Sequence, residues 1–253
     1  MDNKLVIVTG AGGGIGKAIV KKFYENSFNI VLVEIKKEYA QNAIQALQLD
    51  ANRVLPLEVN ISNEDDVKGL YEDVMKRFGR VDCLINCAGV QLEQSRCEDY
   101  SFDSFKKEYE TNVFGTFLMM KYALPIMQKQ KSGSIVNFGS VSGMNGYPLE
   151  IGYGSSKWAI IGMSKNAANE NGNNGVRINS ISPGWVNTRM FTQALEDYKK
   201  AGFENPYDNI TLGPMKRPAE TQEIANTVYF LCSDDASYIN GSNILVDGGM
   251  TLG

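Results

Sequence analysis

A tyrosine and a lysine stand four residues apart in the segment Tyr153-Gly154-Ser155-Ser156-Lys157. Residues at i and i+4 share one face of a helix, so the lysine ammonium would lie beside the phenol. A nearby positive charge favours the phenolate and lowers the pKa of a tyrosine from its ordinary value of about 10. Because the chain contains no histidine, the commonest general base is absent. The pair therefore predicts acid–base chemistry in which Tyr153 donates a proton to a carbonyl oxygen or accepts one from a hydroxyl group.

Two further polar residues are candidates to assist Tyr153. Ser140 ends the apolar run Ile135–Ser140, and the carboxyl ends of parallel strands border the crevice where ligands bind. Its hydroxyl could hydrogen-bond a substrate oxygen as charge develops there. Asn112 lies within a long helical segment, where asparagine is not a favoured residue. The sequence is compatible with a kink, a water site, a polar contact or simple exposure at this residue.

A glycine-rich turn follows the first apolar run, with the sequence Thr9-Gly10-Ala11-Gly12-Gly13-Gly14-Ile15-Gly16. Glycines let the backbone approach a pyrophosphate closely, and the helix that follows offers free N–H donors. The G-x-G-x-x-G pattern fails at Ile15, and the chain has no GK[ST] P-loop motif. The turn predicts a dinucleotide site of another type, with a ligand-free glycine turn as the alternative.

An acidic residue, Glu34, ends the second apolar run. At this distance from the glycine turn, a carboxylate can accept hydrogen bonds from the adenosine ribose hydroxyls. The same charge would repel a 2′-phosphate, so Glu34 favours NAD over NADP. Lys36 and Lys37 follow closely and could soften this preference, although they fit a solvated helix start better.

Apolar, β-branched runs alternate with longer mixed segments along the chain. This alternation is typical of a single-domain, Rossmann-like α/β fold: a doubly wound parallel sheet of about seven strands with helices on both faces. The predicted strands are Leu5–Thr9, Asn29–Glu34, Val54–Asn60, Val81–Asn86, Ile135–Ser140, Arg177–Ser182 and Asn243–Val246. The predicted helices are Gly16–Asn26, Lys37–Leu49, Asn63–Phe78, Phe105–Gln130, Tyr153–Asn171 and Ala219–Ser233.

Composition excludes several classes of protein. The 25 Lys and Arg residues against 29 Asp and Glu give a net charge of -4, which offers no broad attraction to nucleic acid or anionic lipid. Four cysteines and no histidine favour neither a disulfide scaffold nor a zinc site. The apolar start Leu5–Val8 is too short for a signal peptide or a membrane span. We expect a cytoplasmic protein without a metal.

The motifs together resemble those of the short-chain dehydrogenase/reductase family, over nearly the whole chain. They occur in the family's order with its approximate spacings. The matching segments are TGxxxGIG with Gly10, Gly14 and Gly16, then Asn86-Cys87-Ala88-Gly89, Asn112, Ser140, the YxxxK pair, Pro183-Gly184 and the closing Val246-Asp247-Gly248-Gly249.

The resemblance implies a role for each matching residue. Tyr153 would be the acid–base group, Lys157 a ribose ligand that modifies the tyrosine pKa, Ser140 the group that orients the substrate, and Asn112 part of a proton relay through water. The implied cofactor is NAD, with NADP less favoured, and the implied assembly is a homotetramer. The implied cofactor contacts are Gly10, Gly14, Ile15, Gly16, Glu34, Asn60, Ile61, Asn86, Ala88, Gly89, Tyr153, Lys157, Pro183, Gly184, Val186 and Thr188.

Two positions depart from the family pattern. Cys87 stands where the family has a second asparagine, and a small buried filler is a better interpretation of this thiol than a nucleophile. Asn60 stands where the family has an aspartate that contacts adenine. Its amide oxygen can still accept a hydrogen bond, so the resemblance implies the same class of cofactor.

The segment 185–218 has weak strand character and several Gly and Pro residues, and we predict an elaborated loop that covers the substrate. Packing against the core explains its apolar residues equally well. Those residues are Trp185, Met190, Phe191, Leu195, Tyr198, Phe203 and Tyr207, joined by Met144, Tyr147 and Leu149. The predicted substrate contacts are Ser140, Tyr147, Tyr153, Trp185 and Met190.

Three functions follow as hypotheses. The first is an NAD-dependent oxidoreductase that moves a hydride between the nicotinamide and a secondary alcohol or ketone, such as a diol, polyol, sugar or cyclic or steroid alcohol. The second is reduction of a 3-oxoacyl group on acyl carrier protein with NADPH, against which Glu34 counts. The third is a non-catalytic NAD-binding protein, which would not need all four of the polar residues Asn112, Ser140, Tyr153 and Lys157.

Overall fold

The apolar runs form seven parallel strands in a computed structural model, which describes residues 4–200 and 212–252 except for the side chain of Tyr198. The order across the sheet is β3-β2-β1-β4-β5-β6-β7, and every neighbouring pair is parallel. This confirms the predicted doubly wound α/β fold. The strands are β1 (Leu5–Thr9), β2 (Asn29–Glu34), β3 (Val54–Glu58), β4 (Cys83–Asn86), β5 (Gly133–Phe138), β6 (Val176–Pro183) and β7 (Asn243–Val246).

Helices connect the strands and cover both faces of the sheet. Their bounds are α1 (Gly14–Glu25), α2 (Lys37–Leu47), α3 (Glu64–Phe78), α4 (Phe102–Tyr109), α5 (Thr116–Gln130), α6 (Ile151–Asn171), α7 (Arg189–Lys200) and α8 (Thr221–Cys232). None of the helices in the described ranges is both long and apolar enough to cross a membrane.

Alternate side chains of each strand serve opposite cores, because successive residues of a strand point to opposite faces. On β1, Val6 and Val8 pack into a core with buried residues of α1, α2 and α8. Leu5 and Ile7 pack into the other core, with buried residues of α3, α5 and α6. All four side chains are fully buried, so packing on both faces of the sheet fixes the position of β1 and of the turn that follows it.

The strand ends differ from the sequence prediction at β3 and β5. The predicted run Val54–Asn60 is a strand only to Glu58, whose partner in the ladder is Glu34 at the end of β2. The predicted strand Ile135–Ser140 ends at Phe138, where its pairing with β6 stops. Ser140 therefore lies just beyond the sheet, where it begins a 3₁₀ turn over Val141–Gly143.

The predicted helix Phe105–Gln130 is interrupted. Helix α4 starts earlier, at Phe102, and ends at Tyr109, after which Glu110–Gly115 forms a π-helical turn that leads into α5. A π turn inserts an extra residue and loosens the backbone ladder, and such turns are frequent at functional sites. Asn112 lies in this turn with its side chain fully buried, so it stands where the α-helical hydrogen-bond ladder is interrupted.

Candidate active site

The strand order changes direction between β1 and β4, which are neighbours in the sheet. Loops that leave two such strands diverge to opposite faces and open a crevice at their carboxyl ends. The glycine turn leaves β1 and the segment Cys87–Val90 leaves β4. The two segments touch, since a Cβ on Gly10, whose φ is +68°, would lie 2.9 Å from the Ala88 Cα. Ala88 also donates its N–H to the Thr9 hydroxyl, at 3.1 Å.

Helix α1 begins in this crevice without a side-chain cap. Gly13 is its N-cap residue and offers no side-chain acceptor, so the first N–H groups of the helix have no intrahelical partner. A helix start of this kind favours an anionic group. Thr188 lies next to it, because a Cβ on Gly14 would be 3.2 Å from the Thr188 Cγ2. This glycine cradle fits the pyrophosphate of a dinucleotide.

Glu34 lies at the adenosine side of the same cradle. Its Oε1 accepts a 2.6 Å hydrogen bond from the Gly12 N–H. Burial raises the pKa of this carboxyl, while hydrogen bonds from the Gly12 and Ile35 amides oppose the rise. The glycine turn therefore fixes the Glu34 carboxylate beside the cradle.

Tyr153 and Ser140 meet at the opposite end of the crevice. Tyr153 lies in the first turn of α6 and Ser140 follows β5. A hydrogen-bonding interaction with Ser140 lowers the tyrosine pKa, but burial and the charge of Glu150 outweigh it and raise this pKa above its usual value. Ser140 Oγ also accepts a 3.1 Å hydrogen bond from the Ser142 N–H, which orients the hydroxyl.

Lys157 acts on Tyr153 differently from the prediction. Its ammonium donates a 2.8 Å hydrogen bond to the Phe138 carbonyl and lies 5.4 Å from the centre of the Tyr153 ring, so it faces the ring of the tyrosine. The expected lowering of the tyrosine pKa is wrong for the protein alone, because burial raises that pKa. Burial also lowers the pKa of Lys157 itself, to about 8.

Asn112 is tied into the site by three hydrogen bonds. Its Oδ1 accepts from the Val90 N–H at 2.8 Å, and its Nδ2 donates to the Val90 carbonyl at 2.9 Å and to Ser156 Oγ at 3.0 Å. A Cβ on Gly89 would lie 3.3 Å from Asn112 Oδ1 and 3.2 Å from Lys157 Nζ. The π turn, the loop after β4 and helix α6 therefore converge at Gly89.

The remaining predicted cofactor contacts lie around this crevice in varied settings. Asn86 is buried and donates to Asn137 Oδ1 at 2.8 Å, which ties β4 to β5. Asn60 is exposed, and its Oδ1 accepts from the Ser62 N–H at 3.1 Å. Ile61 is buried in the core that covers α3 and α5. In these three cases the side chain already has a structural partner.

A cavity of about 130 Å³ lies beside Ser140, Tyr153 and Lys157. All five predicted substrate contacts line it, and so do seven predicted cofactor contacts besides Tyr153. The predicted residues on its wall are Ile15, Gly89, Ser140, Tyr147, Tyr153, Lys157, Pro183, Gly184, Trp185, Val186, Thr188 and Met190. Cys87 is also there, and burial raises the pKa of its thiol to about 12, as suits a filler.

Several residues of this wall were not predicted as site residues. Glu150 and Gln91 add polar groups, and Phe138, Gly139, Val141, Ser142, Phe191 and Met250 complete the lining. Glu150 was recognisable as one acidic residue between the apolar Leu149 and Ile151, three residues before Tyr153. Gln91 stands two residues after a matched motif, where the sequence gives no signal.

The segment predicted to cover the substrate is partly described. Helix α7 occupies Arg189–Lys200, and Phe191 packs on Trp185 with ring centres 5.3 Å apart. Phe203 and Tyr207 lie outside the described residues, as does the side chain of Tyr198. Of the other apolar candidates, Phe191 lines the cavity, whereas Leu195, Met144 and Leu149 do not.

Within the described ranges, no group of three or more Asp, Glu or Cys side chains is arranged to hold a metal ion. The crevice offers instead a glycine cradle for phosphates, a carboxylate for a ribose, and a hydroxyl, a phenol and an ammonium around one cavity. A dinucleotide in this cradle would supply or accept a hydride, and the residues of the cavity would orient the second reactant and move its proton.

Comparison with protein families gives a match over residues 10–251 to a model described as enoyl-(acyl carrier protein) reductase. Levodione reductase of Leifsonia aquatica is 34% identical, covering 98% of this chain and 94% of the relative. Meso-2,3-butanediol dehydrogenase of Serratia marcescens is 36% identical, covering 99% and 95%. A 3-oxoacyl-[acyl-carrier-protein] reductase of Thermotoga maritima is 32% identical, covering 100% and 99%.

Solved structures agree with this grouping. An NAD⁺-bound xylitol dehydrogenase superposes with a TM-score of 0.93 at 32% identity, covering 98% of this chain and 99% of the other. A protein described as ElxO with NADP bound gives a TM-score of 0.89 at 31% identity, covering 100% of both chains. The neighbours thus bind either dinucleotide. The chain belongs to the short-chain dehydrogenase/reductase family and is an NAD(P)-dependent oxidoreductase that acts on alcohol and ketone groups.

Proposed function

We propose that this protein is an NAD-dependent oxidoreductase that interconverts a small secondary alcohol, of the diol, polyol, sugar or cyclic type, and its ketone. The observation that carries the choice of NAD is the hydrogen bond from Gly12 to the Glu34 carboxylate. A carboxylate fixed there accepts hydrogen bonds from ribose hydroxyls and repels a 2′-phosphate. The names of two relatives, a butanediol dehydrogenase and a cyclohexadienediol dehydrogenase, support an alcohol of this kind.

In ketone reduction, the substrate carbonyl lies between Ser140 and Tyr153. A phenol is already protonated at neutral pH, and burial raises the pKa of Tyr153 further, so its hydroxyl is ready to give its proton to the oxygen of the substrate. Ser140 donates a second hydrogen bond, which stabilises the negative charge that develops on that oxygen. The Lys157 ammonium holds the ribose and stabilises the phenolate left on Tyr153. Asn112 takes part in the relay, through water, that returns a proton to Tyr153.

A titration with NADH and NADPH tests the cofactor, with binding followed by nicotinamide fluorescence. We expect NADH to bind at least about tenfold more tightly, which is about 1.4 kcal/mol. Glu34→Gln removes the charge at constant size and should reduce this ratio about tenfold, while Glu38→Gln, at an exposed position of α2, should leave it unchanged. Tighter binding of NADPH by the unaltered protein would contradict the proposal.

Reduction of a 3-oxoacyl group on acyl carrier protein is the second candidate. It is favoured by the full-length similarity to a 3-oxoacyl-[acyl-carrier-protein] reductase and by the description of the matching family model. Preference for NADPH in the titration, together with turnover of an acyl-carrier-protein thioester, would make this the better assignment. The position of Glu34 favours the alcohol dehydrogenase.

The protein is proposed to be a cytoplasmic homotetramer. Phe102, Phe114 and Phe117 are about half exposed or more along α4, the π turn and α5, and exposed apolar surface of this kind marks interfaces. All four cysteines are free thiols, as suits a reducing compartment. Light scattering on the purified protein should give the mass of a tetramer, and Phe117→Asp should yield smaller species. A monomeric parent protein would contradict this assembly.

A single NAD(P)-binding domain over residues 1–253, with a substrate-covering segment at about 185–218, completes the proposal. Helix α7 and Trp185 supply cavity residues from that segment. Limited proteolysis tests the covering segment: saturating NADH with a substrate analogue should slow cleavage within 185–218. Thermal or urea unfolding tests the single domain, which should unfold in one cooperative transition.

A further inference from the structure

Three polar side-chain atoms at the substrate cavity have no hydrogen-bond partner in the described protein. They are Glu150 Oε2, Gln91 Nε2 and Trp185 Nε1, and all three residues line the cavity that also contains Ser140 and Tyr153. Buried polar groups are almost always hydrogen-bonded, because an unpaired one costs about 1–3 kcal/mol. Three such atoms around one cavity indicate a ligand group that pairs with them.

Glu150 is the most informative of the three. Its side chain is 7% exposed, and it is the residue that precedes the first turn of α6. Ser142 and Gln91 lie close enough to lower its pKa, yet burial dominates and raises it. No cation pairs with the buried carboxylate: the described salt bridges involve other acidic residues. The contacts with Ser142 and Gln91 therefore leave Glu150 Oε2 facing the cavity without a partner.

The orphan atoms define the chemistry of the missing group. Glu150 Oε2 requires a donor, whereas Gln91 Nε2 and Trp185 Nε1 require an acceptor. A hydroxyl group donates and accepts at once, so it can satisfy both kinds of atom. An ammonium group would leave the two N–H donors unpaired, a carboxylate or phosphate would be repelled by Glu150, and an alkyl chain or aromatic ring would leave all three unpaired.

The position of Glu150 limits how far this hydroxyl lies from the reacting carbon. Glu150 and Tyr153 are separated by three residues at the start of α6, a rise of about 4.5 Å along a helix. Tyr153 also responds to the charge of Glu150. Because the two residues are this close along the chain, the hydroxyl that Glu150 binds lies near the reacting carbon.

We propose that Glu150 and Gln91 bind a second, non-reacting hydroxyl group of the substrate, so that the enzyme acts on hydroxyketones and the corresponding diols or polyols and discriminates against simple ketones. Trp185, whose Nε1 also lacks a partner at this cavity, completes the hydroxyl site. The inference rests on the proposed oxidoreductase function and specifies its substrate class.

The test uses two ketones with the same carbon skeleton, acetoin and butan-2-one, reduced with NADH by the full-length protein. We expect kcat/KM for acetoin to exceed that for butan-2-one by at least about thirtyfold, because a site built for a hydroxyl rejects the analogue that lacks it. In Glu150→Leu this ratio should fall to within about threefold of unity. Gln91→Leu should reduce it partially, and Glu72→Leu, at an exposed position of α3, should not change it.

The ratio separates recognition from general damage. Glu150 influences the pKa of Tyr153, so its replacement changes the reduction of every ketone, but this effect is common to both substrates and cancels in the ratio. NADH binding verifies that each variant is folded, and Glu150→Gln, which keeps an acceptor oxygen, should retain an intermediate ratio if Glu150→Leu is unstable.

Each result decides a different claim. Equal kcat/KM for the two ketones in the unaltered protein, or an unchanged ratio in Glu150→Leu and Glu150→Gln, would overturn the hydroxyl site and leave the oxidoreductase function intact. Cofactor binding without reduction of either ketone would also overturn the hydroxyl site. Failure to bind either NADH or NADPH would instead overturn the proposed function.

Discussion

The Lys157 ammonium donates to the Phe138 carbonyl and lies 5.4 Å from the centre of the Tyr153 ring. The lysine is thus held by the strand that leads to Ser140, while the tyrosine hydroxyl is left to interact with that serine. Because Lys157 is buried and Tyr153 is partly buried, desolvation lowers the lysine pKa to about 8 and raises the tyrosine pKa. Lys157 therefore titrates in a pH range where activity can report on it.

Ketone reduction by the proposed mechanism should lose rate as pH rises through about 8. Tyr153 stays protonated over this range because its pKa is raised. Lys157, however, loses the positive charge that favours transfer of the proton from the tyrosine. Rate measurements on kcat/KM across this range test the point. In Lys157→Arg, whose guanidinium stays charged, the absolute rate should be lower but the fall near pH 8 should disappear. If kcat/KM of the parent protein stays constant until about two pH units above this value, the assignment of the fall to Lys157 is contradicted.

Replacement of Asn112 should destabilise the protein as well as impair activity. Asn112→Ala removes the partner of both Val90 backbone groups and of Ser156. Buried groups left unpaired cost about 1–3 kcal/mol, so the free energy of unfolding in urea should fall by that amount. Asn226→Ala, at an exposed position of α8, should change it by less than about 0.5 kcal/mol. Equal stabilities of the two variants would refute the structural role of the Asn112 network.

Gly89→Ala should reduce activity through Lys157. The added methyl group would lie 3.2 Å from Lys157 Nζ and 3.3 Å from Asn112 Oδ1, so one or both of these groups must shift slightly. We expect kcat/KM to fall at least about tenfold, because small displacements of positioning groups are costly. Gly162→Ala on α6, where nothing lies within 4 Å, is the matched control and should slightly stabilise the helix. Full activity of Gly89→Ala would show that this close approach is unimportant.

The fold was predictable because its strands are continuous apolar runs, such as Leu5–Thr9, that must be covered on both faces. The grouping of Ser140, Tyr153 and Lys157 was predictable too, since motif order places them at one edge of the sheet. The π turn at Asn112 was not, because it depends on Val90 and Ser156, which are distant in sequence. The raised pKa of Tyr153 depends on burial, which a sequence pattern does not reveal.

Glu150 shows the same limit of prediction from sequence. An acidic residue between two apolar neighbours was visible in the sequence, but its burial and its unpaired oxygen emerge only when α6 and the turn after Ser140 are packed together. Local patterns therefore predict which residues could react. Contacts between distant segments decide which groups meet the substrate.

The most direct test of the account is reduction of acetoin by NADH, with loss of nicotinamide absorbance followed in the parent protein and in Tyr153→Phe. The phenylalanine variant keeps the ring that Lys157 faces and loses only the hydroxyl. The account predicts NADH-dependent reduction by the parent and unchanged NADH affinity in the variant, with kcat lowered about a hundredfold or more. A variant that binds NADH normally and reduces acetoin at the parent rate would contradict the assignment of Tyr153 as the proton donor.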